Sequence, residues 1–115
     1  AKGYTDEELE AMAGYFAKQK PIFRQQQHDA ELAKKGEKYH EEYCDKCHEE
    51  GGKKDEDGSG ILAGQWKPYL DFQMADFMGD KRDMSKKMRK RMEKMVEENG
   101  KEALDAVVDY YASQK

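Results

Sequence analysis

Cys44, Asp45, Lys46, Cys47 and His48 follow one another: two thiols three positions apart, with an imidazole directly after the second. This is the spacing by which heme is covalently attached to a polypeptide. Its cause is chemical, because each thiol must add across one of two vinyl groups on adjacent pyrroles while the intervening residues form a tight, helix-like turn. His48 then falls beneath the iron as proximal axial ligand, and its other ring nitrogen is expected to donate to a backbone carbonyl.

Three other uses of a cysteine pair each ask for something this chain does not supply. An all-thiolate zinc site needs four cysteines, and the sequence has two. A mixed site would draw on His28 or His40, neither of which follows the cysteines at finger-like spacing. A thioredoxin-like redox pair opens a helix after a strand, whereas the approach to Cys44 reads as helix with no β-branched run nearby. A structural disulfide across so short a loop leaves His48 unexplained.

Length and composition agree with a domain built around a cofactor. The 115 residues make one small domain with a short appendage. With 37% hydrophobic and 40% charged residues, an unaided core is thin. A large apolar macrocycle changes that balance by serving as the centre on which a few helices pack. No stretch has the length of a membrane span, and no leader-like segment opens the chain, so an exported protein is expected in processed form. Covalent heme attachment takes place outside the bacterial cytoplasm, which makes the periplasm the expected location. No nucleic-acid partner is expected.

The net charge of -4 is unevenly spread. Residues 41–57 hold eight acidic and three basic side chains, while 81–94 hold eight basic and two acidic. Such a dipole steers an oppositely charged redox partner, or else both runs are solvated faces.

The apolar spacing is helical almost throughout, and the fold class is all-α. Thr5 with Glu8 three residues on is a capping-box signature, and Leu9, Met12, Ala13 and Phe16 continue it as an apolar stripe that stops before Pro21. Residues 21–29 read as a polar linker. A second helix over about 29–43 leads into the cysteines, with Gly36 in its middle reading as a close helix crossing. Residues 49–60 read as an exposed loop. Pro68 opens a third helix ending near Gly79, Met88, Met92, Met95 and Val96 mark a fourth, and Leu104, Val107, Val108 and Tyr111 mark a fifth after Asn99-Gly100. The domain division is 1–28 for the first helix and linker, and 29–115 for the heme-bearing unit.

An internal repeat is visible. Shifted by 95 positions, Leu9, Ala11, Tyr15, Ala17, Gln19 and Lys20 fall on Leu104, Ala106, Tyr110, Ala112, Gln114 and Lys115. The first helix reads as a second copy of the last; the plainer alternative is two unrelated amphipathic helices of like composition.

For the iron's sixth ligand, a methionine thioether favours the reduced state and leaves no open site. Met88, Met92 and Met95 recur at helical spacing and read as core, as do Met74 and Met78, while Met12 lies in the detached first helix. Met84 stands alone in the charged stretch Lys81-Arg82-Asp83-Met84-Ser85-Lys86 between two helices, so it is the expected ligand, with Met88 the runner-up. His28 and His40 read as surface or packing histidines. Gln65, Trp66 and Tyr69 are candidates to hydrogen-bond the heme propionates, or else pack.

A helix with a glycine and an aromatic residue, CxxCH, a loop, a further helix, a methionine and a terminal helix with paired aromatics resemble the class I cytochrome c family. More narrowly, residues 36–48, 61–70, 76–84 and 110–114 look like the second heme domain of the cytochrome subunit of flavocytochrome c sulfide dehydrogenases, itself similar to the diheme cytochromes c4. Residues 4–20 resemble the last helix of that family's first domain. The resemblance implies a class I cytochrome c fold around one covalent heme c, with an extra N-terminal helix, thioethers at Cys44 and Cys47, and axial His48 and Met84. Ser85 departs from the pattern, since proline often follows the axial methionine.

The expected function is electron transfer by a six-coordinate heme, not catalysis. Its partners would be a flavoprotein subunit that oxidises sulfide and a downstream cytochrome or oxidase. The alternatives are a free-standing monoheme shuttle, a five-coordinate heme enzyme or gas sensor, and a homo-oligomer paired through the N-terminal helix.

Overall fold

The computed structural model describes residues 3–55 and 59–115, and all regular structure among them is helical. Each expected helix forms, and its ends follow from local chemistry. Helix α1, Asp6–Ala17, opens on a reciprocal capping box: the Glu8 backbone N–H donates to Thr5 Oγ1 at 3.2 Å and the Thr5 N–H donates to the Glu8 carboxylate at 2.9 Å. Helix α2, Ala30–Tyr39, is capped by Asp29, whose carboxylate accepts from the N–H groups of Glu31 and Leu32 at 2.9 Å.

The second helix is not a single α-helix through residue 43. At His40 it widens into a π-turn, His40–Cys44, and a short turn, α3 (Glu49–Gly52), follows within the expected loop. Helix α4, Lys67–Met78, carries Pro68 in its first turn and ends at Gly79. Ser85 caps α5, Lys86–Asn99, by accepting from the Met88 N–H at 3.2 Å. Ser85 therefore starts a helix. Helix α6, Glu102–Ser113, completes the chain.

Helix α6 is the inner element, with eight of its twelve residues buried. Tyr110, Tyr111, Val107 and Val108 join Tyr43, Leu70, Met95 and Ala103 in one core. The α2–α6 crossing requires Gly36: a Cβ there would run into the Ala106 carbonyl and lie 2.8 Å from Tyr110 Cβ. Of the methionines read as core, Met92 and Met95 are buried and Met74 and Met88 half-buried, whereas Met78, at the end of α4, is 40% exposed.

Residues 21–29 have no regular structure, yet they are a strap rather than a free linker. The Arg24 N–H donates to the Gly64 carbonyl at 3.2 Å, and Gln26 donates to the Gln65 carbonyl at 2.6 Å while accepting from the Lys67 N–H at 2.7 Å. Phe23 lies so close over Gly64, whose φ is +69°, that a side chain there would strike it. Helix α1, by contrast, buries none of its residues.

Gly36 of α2 and Gly14 of α1 predict opposite outcomes. Gly36→Ala forces the α2–α6 crossing apart and lowers unfolding free energy by about 1–3 kcal/mol, despite alanine's better helix propensity. Gly14→Ala, with nothing within 4 Å of the new methyl, raises α1 helicity or leaves stability within about 1 kcal/mol. Urea denaturation followed by circular dichroism measures both.

Candidate functional site

The attachment motif is delivered by the end of α2. In the π-turn the Asp45 N–H donates to the His40 carbonyl at 2.8 Å, one residue further back than an α-helix would reach. The N–H groups of Cys47 and His48 then both donate to the Cys44 carbonyl, at 3.1 and 3.0 Å. Residues 44–48 thus form the tight turn that the spacing demands, and Cys44, Cys47 and His48 share it.

Neighbouring helices hold this turn from two sides. Tyr43, buried within the π-turn, donates its hydroxyl to the Glu98 carboxylate at 2.5 Å and accepts from Asn99 Nδ2 at 3.1 Å, which ties it to α5. The carboxylate partner pushes the phenol up to about 12. On the α6 side, His40 Nδ1 lies 2.8 Å from the Tyr111 hydroxyl and Nε2 lies 3.3 Å from Asp45 Oδ1. His40 is 1% exposed, so of the two readings, surface or packing, the structure selects packing.

The reactive groups differ in environment. The Cys44 thiol is half-buried and burial pushes its pKa up, while Cys47 is exposed; the two form no disulfide. His48 is half-buried, and burial, then repulsion from any charge taken up by His40, lowers its pKa, so the ring stays neutral and keeps a lone pair. The carbonyl acceptor expected for its second nitrogen is not there. Nδ1 of His48 is instead the sole buried side-chain nitrogen or oxygen without a partner among the described residues. An unmet buried polar atom costs about 1–3 kcal/mol, so this ring is short of a partner that the polypeptide does not provide.

The test of fit for an iron porphyrin is the donor set itself: a neutral imidazole beside two thiols free of any disulfide in one closed turn suits it, whereas the carbonyl expected to orient the ring's second nitrogen is missing. Among the described residues no three His, Cys, Asp or Glu side chains gather as a metal site of another kind.

Met84 lies where the sequence places it, half-buried in the connection between α4 and α5. The connection is braced by an Arg89–Asp80 ion pair at 2.8 Å, by the Lys81 N–H donating to the Asp76 carbonyl at 2.9 Å, and by the Arg82 guanidinium 4.7 Å from the Phe77 ring centre. Gln65, Trp66 and Tyr69 come from the approach to α4 and its first turns, and all three are exposed. Gln65 Nε2 donates to the Ile61 carbonyl at 3.1 Å, within its own loop. None of the three hydrogen-bonds the attachment turn among the described residues.

No protein-family model matches the chain, and no curated protein matches it.

Burial lowers the pKa of both His40 and His48 below the ordinary 6.5, so below that pH the unfolded chain takes up protons that the folded chain does not. Without porphyrin, stability is therefore fully present above pH 6.5 and falls as pH drops below it, before carboxylates titrate at about 4. Urea midpoints of heme-free protein between about pH 5 and 8 are expected to be flat at the upper end and to decline below the histidine value. Level midpoints throughout would contradict the buried neutral rings.

Proposed function

We propose that the chain is an electron-transfer protein carrying one covalent heme c, with thioethers at Cys44 and Cys47 and with His48 and Met84 as axial ligands. The observation that carries this reading is the closed Cys44–His48 turn, which brings two free thiols and a neutral imidazole together. When bound, heme supplies a one-electron Fe(III)/Fe(II) couple. The polypeptide's task is to hold ligands still. His48 is fixed through its backbone bond to Cys44, and Met84 through the braced α4–α5 connection. Such anchoring keeps geometry nearly constant between oxidation states, as fast electron transfer requires.

The proposal extends to a class I cytochrome c fold related to the heme subunits of flavocytochrome c sulfide dehydrogenases. In that setting the domain takes electrons from a flavoprotein that oxidises sulfide and passes them to a soluble cytochrome or oxidase in the periplasm. The flavin and the catalytic groups belong to the partner, and this chain is a carrier. What supports the setting is the motif order along residues 36–114 together with an all-helical fold. No described helix is long and apolar enough to cross a membrane.

Expression in cells competent for heme maturation is expected to give a red protein whose intact mass exceeds the polypeptide's by one heme. The oxidised form should show the weak far-red charge-transfer band of methionine ligation. Met84→Ala abolishes the band and opens the reduced iron to carbon monoxide, whereas Met88→Ala keeps it. A colourless product would refute the function, and loss of the band only in the Met88 variant would move the ligand to α5.

A further inference from the structure

The crossing face of α2 contains an anomaly. Four residues after Gly36 and four before Cys44, where α2 faces Tyr110 and Tyr111, the chain places a histidine. The ring is 1% exposed, packing 5.3 Å from the Tyr110 ring centre and edge-on to Tyr111 at 5.4 Å. A phenylalanine would fill the same space without desolvating two nitrogens, so the imidazole must be compensated by bonds. Both nitrogens have them.

The partners define the tautomer. A carboxylate offers only acceptors, so the 3.3 Å contact between Asp45 Oδ1 and Nε2 places the ring proton on Nε2. Nδ1 of the neutral ring then keeps its lone pair, and the Tyr111 hydroxyl at 2.8 Å donates to it. Tyr111 is itself buried, which keeps its phenol protonated and able to donate.

Asp45 is thus gripped twice by one residue. Its backbone N–H donates to the His40 carbonyl across the π-turn, and its side chain accepts from the His40 ring. It also stands between the two cysteines.

We infer that His40 is a positioning residue that clamps the Cys44–His48 turn to the terminal helix, holding Asp45 with one ring nitrogen and Tyr111 with the other. A displacement of α6 is passed through Tyr111 and the imidazole to the segment bearing both thiols. The π-turn is what makes the clamp geometrically possible, because the wider coil brings the Asp45 N–H back to the residue whose ring it also meets. The role in heme geometry rests on the electron-carrier reading; the clamp itself is a property of the polypeptide.

The test uses the purified full chain and three variants. His40→Phe keeps the ring and removes both bonds, Asp45→Ala removes the acceptor, and Asp45→Asn retains an acceptor oxygen. Hydrogen exchange by NMR is expected to show the amides of Asp45, Cys47 and His48 exchanging about three- to tenfold faster in the first two variants, the consequence of losing the part-buried bond between Asp45 and the His40 ring. The amides of Met92 and Met95 in α5 should stay within about twofold of the parent. Asp45→Asn should restore parental protection, and nitrogen-15 spectra of the parent should show a protonated Nε2.

Uniform acceleration across α5 and the turn would reduce His40 to a packing residue and overturn the clamp. So would unchanged protection in His40→Phe, or a proton on Nδ1. Should His40→Phe not fold, the two Asp45 variants decide the matter by their difference. A mass lacking heme would refute the electron-carrier reading while leaving the exchange pattern to decide the clamp. In heme-loaded protein the reduction potential should shift in His40→Phe, which leaves the charge at residue 45 unchanged.

Discussion

The approach of α2 to α6 at Gly36 and Ala106 is the contact on which the rest depends. It joins residues 70 apart in the chain, so its loop-closure cost is met only by a close and extensive helix interface. Without a side chain at Gly36 the backbones meet, and Tyr110 and Tyr111 are carried to the point where α2 becomes a π-turn. The attachment turn is therefore set by a long-range crossing as well as by its own residues. Everything between, including α4, the Met84 connection and α5, hangs between the two helices.

A second, polar layer fixes how those connections hang. Asp109 is a buried carboxylate on α6, and it accepts from the Asp29 N–H at 2.8 Å and pairs with Lys67 Nζ at 3.5 Å. One charge thus links the start of α2, the start of α4 and the core helix. A buried ion of this kind contributes little net stability, but leaving it unpaired is costly, so it selects one arrangement of three elements. Gln26 repeats the idea with neutral groups, binding both sides of the α4 start. Trp66 and Tyr69 lie on the segment these bonds position, and their exposure follows from where the strap holds it rather than from their chemistry.

Features legible in the sequence were those with local causes. The capping box at Thr5, the Gly79 stop and the Met92–Met95 stripe are each decided within a turn or two of chain, and each forms. Gly36 was legible for a different reason, since glycine in mid-helix is unfavourable unless something passes close by. The widening at His40 had no such local mark. It becomes readable only when Tyr111 is known to lie opposite, 71 residues away. The strap escaped for the same reason: Gln-rich sequence looks solvated until the backbone groups it satisfies are in place. In the site, the Cys44–His48 turn was legible from spacing alone, whereas the missing partner of His48 Nδ1 was not, because a side chain's lack of a neighbour depends on every surrounding element.

The twin helices make the same point in reverse. Tyr15 and Phe16 of α1 correspond in the repeat to Tyr110 and Tyr111 of α6, yet they are 62% and 70% exposed against 8% and 1%. Half of the aligned positions are identical, so like composition and period do not by themselves bury a helix. Two differences bear on burial. Where α6 has Asp109, which ties it to α2 and α4, α1 has Gly14, and where α6 has the Gly36 face of α2 to cross, no described helix offers α1 an equivalent. Amphipathicity makes a helix able to be buried. A complementary glycine and a paired polar anchor decide which of two like helices becomes the core.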